Sequence, residues 1–108
     1  MHKMVVFAKA AEGRTEELGR WYDERHFPDL LAVPGFVSAE RHTLITVKQP
    51  EGLPGWDFML IYEIEGNPMP VLQSMGSLMG TEKLPFTDAL VSMSTLSVVG
   101  LSQTMQRN

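Results

Sequence analysis

A chain of 108 residues, 44% hydrophobic and 20% charged, has the composition of one globular domain; disordered and fibrous proteins and a separate cofactor lobe are excluded. Thirteen acidic against nine basic residues give a formal charge of -4 with no basic run, so no nucleic-acid binding is expected. Cysteine is absent, which removes disulfide scaffolds, Cys-ligated zinc, iron–sulfur clusters and thiol nucleophiles.

The first residues lack the long apolar run and small-residue cleavage site of a signal peptide. No segment approaches the roughly 20 apolar residues of a membrane span. A soluble, cytoplasmic protein is expected. Lys3 to Lys9, carrying Val5, Val6 and Phe7, suits a short first strand. A turn around Gly13 leads to Thr15, an expected helix N-cap because Glu16 and Glu17 follow where the helix dipole favours anions. The helix should run to about His26, because Pro28 pushes Phe27 away from helical dihedrals; Pro28 to Ala32 can add one turn.

Pro34-Gly35 carries a type II turn signature. Phe36 to Val47, rich in β-branched and aromatic residues, reads as a long second strand, and Lys48 to Gly55, with two prolines and two glycines, as a loop. Trp56 to Ile64 is the clearest strand, paired with the second as a hairpin. Pro68 or Pro70 opens a helix with Val71, Leu72, Met75, Leu78 and Met79 on one face, ended by Gly80. Thr81 to Leu90 is a connector, and Ser92 to Gln103 the last strand, before a polar tail. The order β-α-β-β-α-β predicts an α+β, ferredoxin-like domain over residues 1–108: a four-stranded antiparallel sheet with two helices on one face.

Two helices cover only one face, yet the third strand is apolar at both parities: Phe58, Leu60, Tyr62 and Ile64 on one side, Met59 and Ile61 on the other. A second copy laid against the bare face would bury it, which predicts a homodimer through the sheet.

Leu18, Tyr22 and His26, spaced by four, line one edge of the first helix. On a helical wheel His26 lies about 80° from Leu18, with Trp21 about 60° to the other side. Arg25 falls within that stripe, so periodicity leaves open whether His26 faces inward. His26 is a candidate general acid or base with Tyr22 as hydrogen-bond donor; the alternative is a histidine that merely ends a helix favourably. Met69, Met75 and Met79 could form an adaptable pocket wall or ordinary core. Arg41 and His42 point to opposite faces of the second strand; Arg41 could anchor a carboxylate or enolate, or pair with Asp57 or a partner's Glu40. His2, His26 and His42 lack metal-ligand spacing, and no nucleotide-binding glycine motif or nucleophile elbow occurs, so neither metal nor cofactor is expected.

The run Trp21-Tyr22-x-x-x-His26-x-Pro28-Asp29-Leu30, then Pro34-Gly35-Phe36-Val37-Ser38-Ala39-x-Arg41, resembles the EthD-like branch of the dimeric α/β-barrel superfamily. The resemblance implies a ferredoxin-like subunit whose sheet pairs with that of a second subunit, and a histidine, here His26, facing a pocket between helices and sheet. Its superfamily includes isomerases, polyketide cyclases, cofactor-independent monooxygenases and haem-dependent enzymes, so fold alone does not choose a reaction. The expected function is cofactor-independent acid–base chemistry (isomerase, cyclase, dehydratase or lyase) on a small hydrophobic or aromatic carbonyl compound in catabolic or secondary metabolism. His26 and Tyr22 would be catalytic, with Trp21, Arg41, Phe58, Leu60, Met75 and Met79 around the substrate. The alternatives are a non-catalytic ligand-binding or auxiliary protein supporting an oxidoreductase system, or a cofactor-independent monooxygenase.

Overall fold

The computed structural model describes residues 1–103; of the polar tail, residues 104–108 lie outside the described residues. Four strands, β1 (His2–Ala8), β2 (Phe36–Thr43), β3 (Phe58–Ile64) and β4 (Leu96–Gly100), form one antiparallel sheet in the order β2-β3-β1-β4. Helical segments α1 (Thr15–Trp21), a π-helical turn (Tyr22–His26) and α2 (Phe27–Leu31) join β1 to β2, and α3 (Pro68–Leu78) follows β3. This is the ferredoxin-like plan, with β1 and β3 at the centre of the sheet. No helix among the described residues is long and apolar enough to cross a membrane.

Strand alternation sets the layers. Met4, Val6 and Ala8 of β1 and Phe58, Leu60, Tyr62 and Ile64 of β3 are buried beneath the helices, where they meet Leu18, Leu30 and Val71. Burying side chains of this size contributes about 1.5–3 kcal/mol each. The opposite face carries Val5, Phe7, Met59, Ile61, Leu96 and Val98, with Val98 paired to Val5 and Val5 to Ile61. In β2 a bulge between Phe36 and Ser38 shifts the register, so Phe36 and Ala39, three residues apart, both turn toward the helices.

The turn at Pro34-Gly35 depends on its glycine: Gly35 has φ of 103°, and a Cβ there would stand 2.2 Å from Val71 Cγ2. Its carbonyl accepts from the Glu65 amide at 2.9 Å, locking the start of β2 to the end of β3. At α3 the Asn67 side chain accepts from the Met69 amide at 3.0 Å, a true N-cap just before Pro68.

Several expected boundaries move. Thr15 is the first helical residue rather than its cap; Arg14 is the capping residue, without a side-chain capping bond. Pro28 does not end the helix: Phe27 keeps φ of -62° and ψ of -50°, and its amide bonds back to Tyr22 O. That five-residue step inserts a wider turn just before the proline ring, where an ordinary helix would suffer its clash. β2 stops at Thr43, not Val47, and β3 starts at Phe58, not Trp56, because Trp56 leaves the ladder to donate from Nε1 to Ser94 O at 2.6 Å. Ser92–Ser94 is a 3-10 turn, which shortens the last strand to Leu96–Gly100.

Candidate functional site

The π-helical turn decides which side chains look inward. With one extra residue in the turn, Tyr22, His26 and Phe27 all face the sheet; Tyr22 lies 5.5 Å from His26 and 5.8 Å from Phe27 between ring centroids. An unbroken α-helix could not point all three that way. Trp21 stacks on His26 at 4.7 Å, with the planes only 17° apart.

Trp21, Tyr22 and His26 border a cavity of about 350 Å³ between the first helix, α3 and the sheet. Trp21, Tyr22 and His26 form one wall, Met75 and Met79 the facing one, and Met4, Val6 and Tyr62 the floor. Ser97 of β4, with Thr95 and Ser92 just before it, adds an edge of hydroxyls. The segment from Thr81 to Val91 closes the remaining side through Phe86, Thr87 and Leu90. That segment is tied down at several points: Arg25 Nη2 donates to Glu82 O at 2.8 Å, Arg14 pairs with Asp88 at 2.7 Å, and the Val91 amide donates to Lys9 O at 2.9 Å. Leu84 and Ala89 are fully buried anchors, whereas Phe86, over Gly80 at the cavity mouth, is 70% exposed.

His26 Nδ1 is, among the described residues, the one sealed side-chain nitrogen or oxygen without a hydrogen-bond partner. Native interiors rarely leave such an atom unpaired, and those that do invite a functional explanation. Burial pushes the imidazole down to about 4, against an opposing pull from the Asp29 carboxylate. At neutral pH it is therefore an uncharged ring able to accept a proton.

Tyr22 and Tyr62 are 3% and 1% exposed. Burial pushes the Tyr22 hydroxyl up to about 12, and burial together with neighbouring Tyr22 pushes that of Tyr62 upward as well; among the described residues no hydrogen bond offsets either. Both rings border the cavity, and among the described residues neither phenol oxygen is sealed and unpartnered as His26 Nδ1 is.

Of the residues expected at the site, Trp21, Tyr22, His26, Met75 and Met79 come together around this cavity. The other three do not. Phe58 and Arg41 border a separate depression on the far side of α1, and Leu60 is fully enclosed in the core. Arg41 Nη2 pairs with Asp23 at 2.8 Å, and the guanidinium lies 4.8 Å above the Phe58 ring, so Asp57 is not its partner. Asp57 instead accepts from the Ala10 amide at 2.8 Å. Met69, exposed, lies by a shallow groove near the N-terminus rather than on the cavity wall.

Tyr62 was indistinguishable in sequence from a core residue, because it shares its parity with Leu60 and Ile64. Phe86, Ser92, Thr95 and Ser97 carry no periodic signal that would place them there. Among the described residues no group of three His, Asp or Glu side chains is placed to hold a metal ion. The cavity offers an imidazole and neutral hydroxyls.

No family model and no curated protein matches the chain. Solved structures do. A proposed monooxygenase of Shewanella loihica PV-4 matches with a TM-score of 0.59 at 15% identity, covering 96% of this chain and 95% of that one. An EthD family protein of Bacillus halodurans C-125 matches with a TM-score of 0.55 at 14% identity, over 95% of this chain and 100% of that one. The chain has their fold over nearly its whole length, the fold that the Trp21–Arg41 resemblance implies.

Proposed function

We propose that this protein is a cytoplasmic, homodimeric enzyme that moves a proton on a small hydrophobic or aromatic carbonyl compound without a cofactor. The carrying observation is the neutral His26 imidazole at the wall of an apolar cavity, with Tyr22 beside it; its Nδ1 is sealed away, so the proton is taken up at Nε2. His26 would accept a proton from the carbon next to the carbonyl. The electron pair of that C–H bond moves onto the carbonyl oxygen, where the Tyr22 hydroxyl donates to the developing enolate. His26, now cationic, returns the proton to another carbon or to a leaving group, which gives isomerisation or elimination respectively.

A group held near 4 is a weak base, so its partner must compensate. Imidazolium and enolate, formed together where water is scarce, attract each other far more strongly than in solution. Trp21, Met75 and Met79 keep that space dry. The outer face of the sheet supports the dimer: Val5, Phe7, Met59 and Ile61 are half-buried there, with Trp56 over Phe7, and Leu96 and Val98 are exposed, an apolar surface that favours a partner.

The experiment is hydrogen–deuterium exchange next to the carbonyl of small aryl ketones, followed by NMR in D2O. The wild type should accelerate exchange, and His26→Ala should abolish the acceleration while circular dichroism shows an intact fold. Binding without exchange would favour the second reading, a non-catalytic ligand-binding protein, which the weak basicity of His26 supports. Dioxygen uptake with an electron-rich aromatic would favour oxygenation, the activity proposed for the Shewanella protein.

A further inference from the structure

Resting on the reading of this cavity as a ligand site, we infer that its ligand is an uncharged flat ring system whose oxygen is held jointly by the hydroxyls of Tyr22 and Tyr62. The selection is built from what lines the cavity and from what is kept out of it. Among the described residues, no Asp, Glu, Lys or Arg side chain borders it. The cation that could have received a carboxylate, Arg41, is committed to Asp23 and opens on a different depression. A carboxylate entering here would be stripped of water without a cation to meet it, or would have to bring its own proton.

Shape is set by aromatic planes. Trp21 lies flat against His26, and Tyr22 and Tyr62 both meet it edge-on, with centroids 5.5 and 6.5 Å away, so His26 has one stacked and two perpendicular neighbours. Between this wall and the pliable Met75 and Met79, a fused two-ring aromatic fits the space of about 350 Å³. Tyr22 and Tyr62 both neighbour the imidazole, and among the described residues each phenol is a donor without a hydrogen-bond partner. Two unpartnered donors lining one cavity favour an oxygen with two lone pairs, as in a ketone. A lone donor would have served an alcohol or ether equally well.

The test is calorimetric titration of the full chain at neutral pH with three probes of one shape: acetonaphthone, its hydrocarbon counterpart isopropenylnaphthalene, and naphthoate. The ketone should bind about a hundredfold more tightly than the carboxylate. Tyr62→Phe, which keeps the ring and removes only the oxygen, should weaken ketone binding about five- to tenfold while leaving the hydrocarbon within about twofold. Tyr22→Phe should act in the same way. If naphthoate binds as tightly as the ketone, the inferred charge selection is overturned. If ketone and hydrocarbon bind equally and Tyr62→Phe changes neither, the joint oxygen site is overturned while the cavity remains a ligand site. If none of the three binds, the ligand-site reading itself fails, and this inference with it.

Discussion

Replacing His26 by phenylalanine keeps a flat ring against Trp21 but removes the ability to take up a proton, and the variant should resist acid better than the wild type. In the folded protein burial holds the imidazole at about 4, against an ordinary value of 6.5, with Trp21, Tyr22 and Tyr62 around it and only the Asp29 carboxylate pulling the other way. Between those two values the unfolded chain binds the proton and the folded chain does not, so stability falls as the pH is lowered through this window. The gap corresponds to about 3 kcal/mol once both forms are protonated, and to about 2 kcal/mol by about pH 5. Urea unfolding of both proteins at about pH 7 and about pH 5 isolates this contribution, because every other titrating group is common to the two. The wild type should lose about 2 kcal/mol more than the variant over that interval. Parallel losses would mean that His26 titrates like a solvated histidine, and the neutral base of the proposed mechanism would not exist.

Gly35→Ala should lower stability by more than about 2 kcal/mol, because the new Cβ meets Val71 Cγ2 at 2.2 Å and φ of 103° is strained for any L side chain; a thermal melt measures it. Ile61→Asp, placing a carboxylate in the middle of the bare sheet face, should convert a dimer to a monomer in sedimentation; a wild type already monomeric at micromolar concentration would refute the proposed pairing. Arg41→Ala should leave ligand affinity within about twofold and cost about 1 kcal/mol or less, since its half-exposed partner Asp23 and the Phe58 ring lie outside the cavity.

The sheet was legible because alternation is a strong signal: Phe58, Leu60, Tyr62 and Ile64 sit on one face as their spacing requires. The same regularity concealed Tyr62, since parity reports burial and not whether a hydroxyl at the tip of a buried ring finds a partner. Tyr22 and His26 were found by their spacing of four, yet that Phe27 shares their face depends on the π-helical turn, which no periodicity of 3.6 contains. Pro28 misled for a related reason: its effect on the preceding residue is a bias, and the wider turn before it removed the clash that creates the bias. Arg41 lay at the right parity for the helix side of β2, but which of two depressions it enters is decided by Asp23, eighteen residues away in sequence. The wall contributed by Phe86, Thr87 and Leu90 comes from an irregular segment whose path is set by long-range ties such as Arg14 to Asp88 and Arg25 to Glu82.

A crystal structure of the protein with acetonaphthone bound would decide most directly whether His26 works on a carbonyl compound. The carbonyl oxygen should lie within hydrogen-bonding distance of the Tyr22 hydroxyl, with the adjacent methyl carbon facing the His26 imidazole and the rings against the Trp21 and methionine walls. Ligand held elsewhere, or a His26 ring turned to solvent with the cavity filled by side chains, would contradict the assignment of His26 as the group that moves the proton.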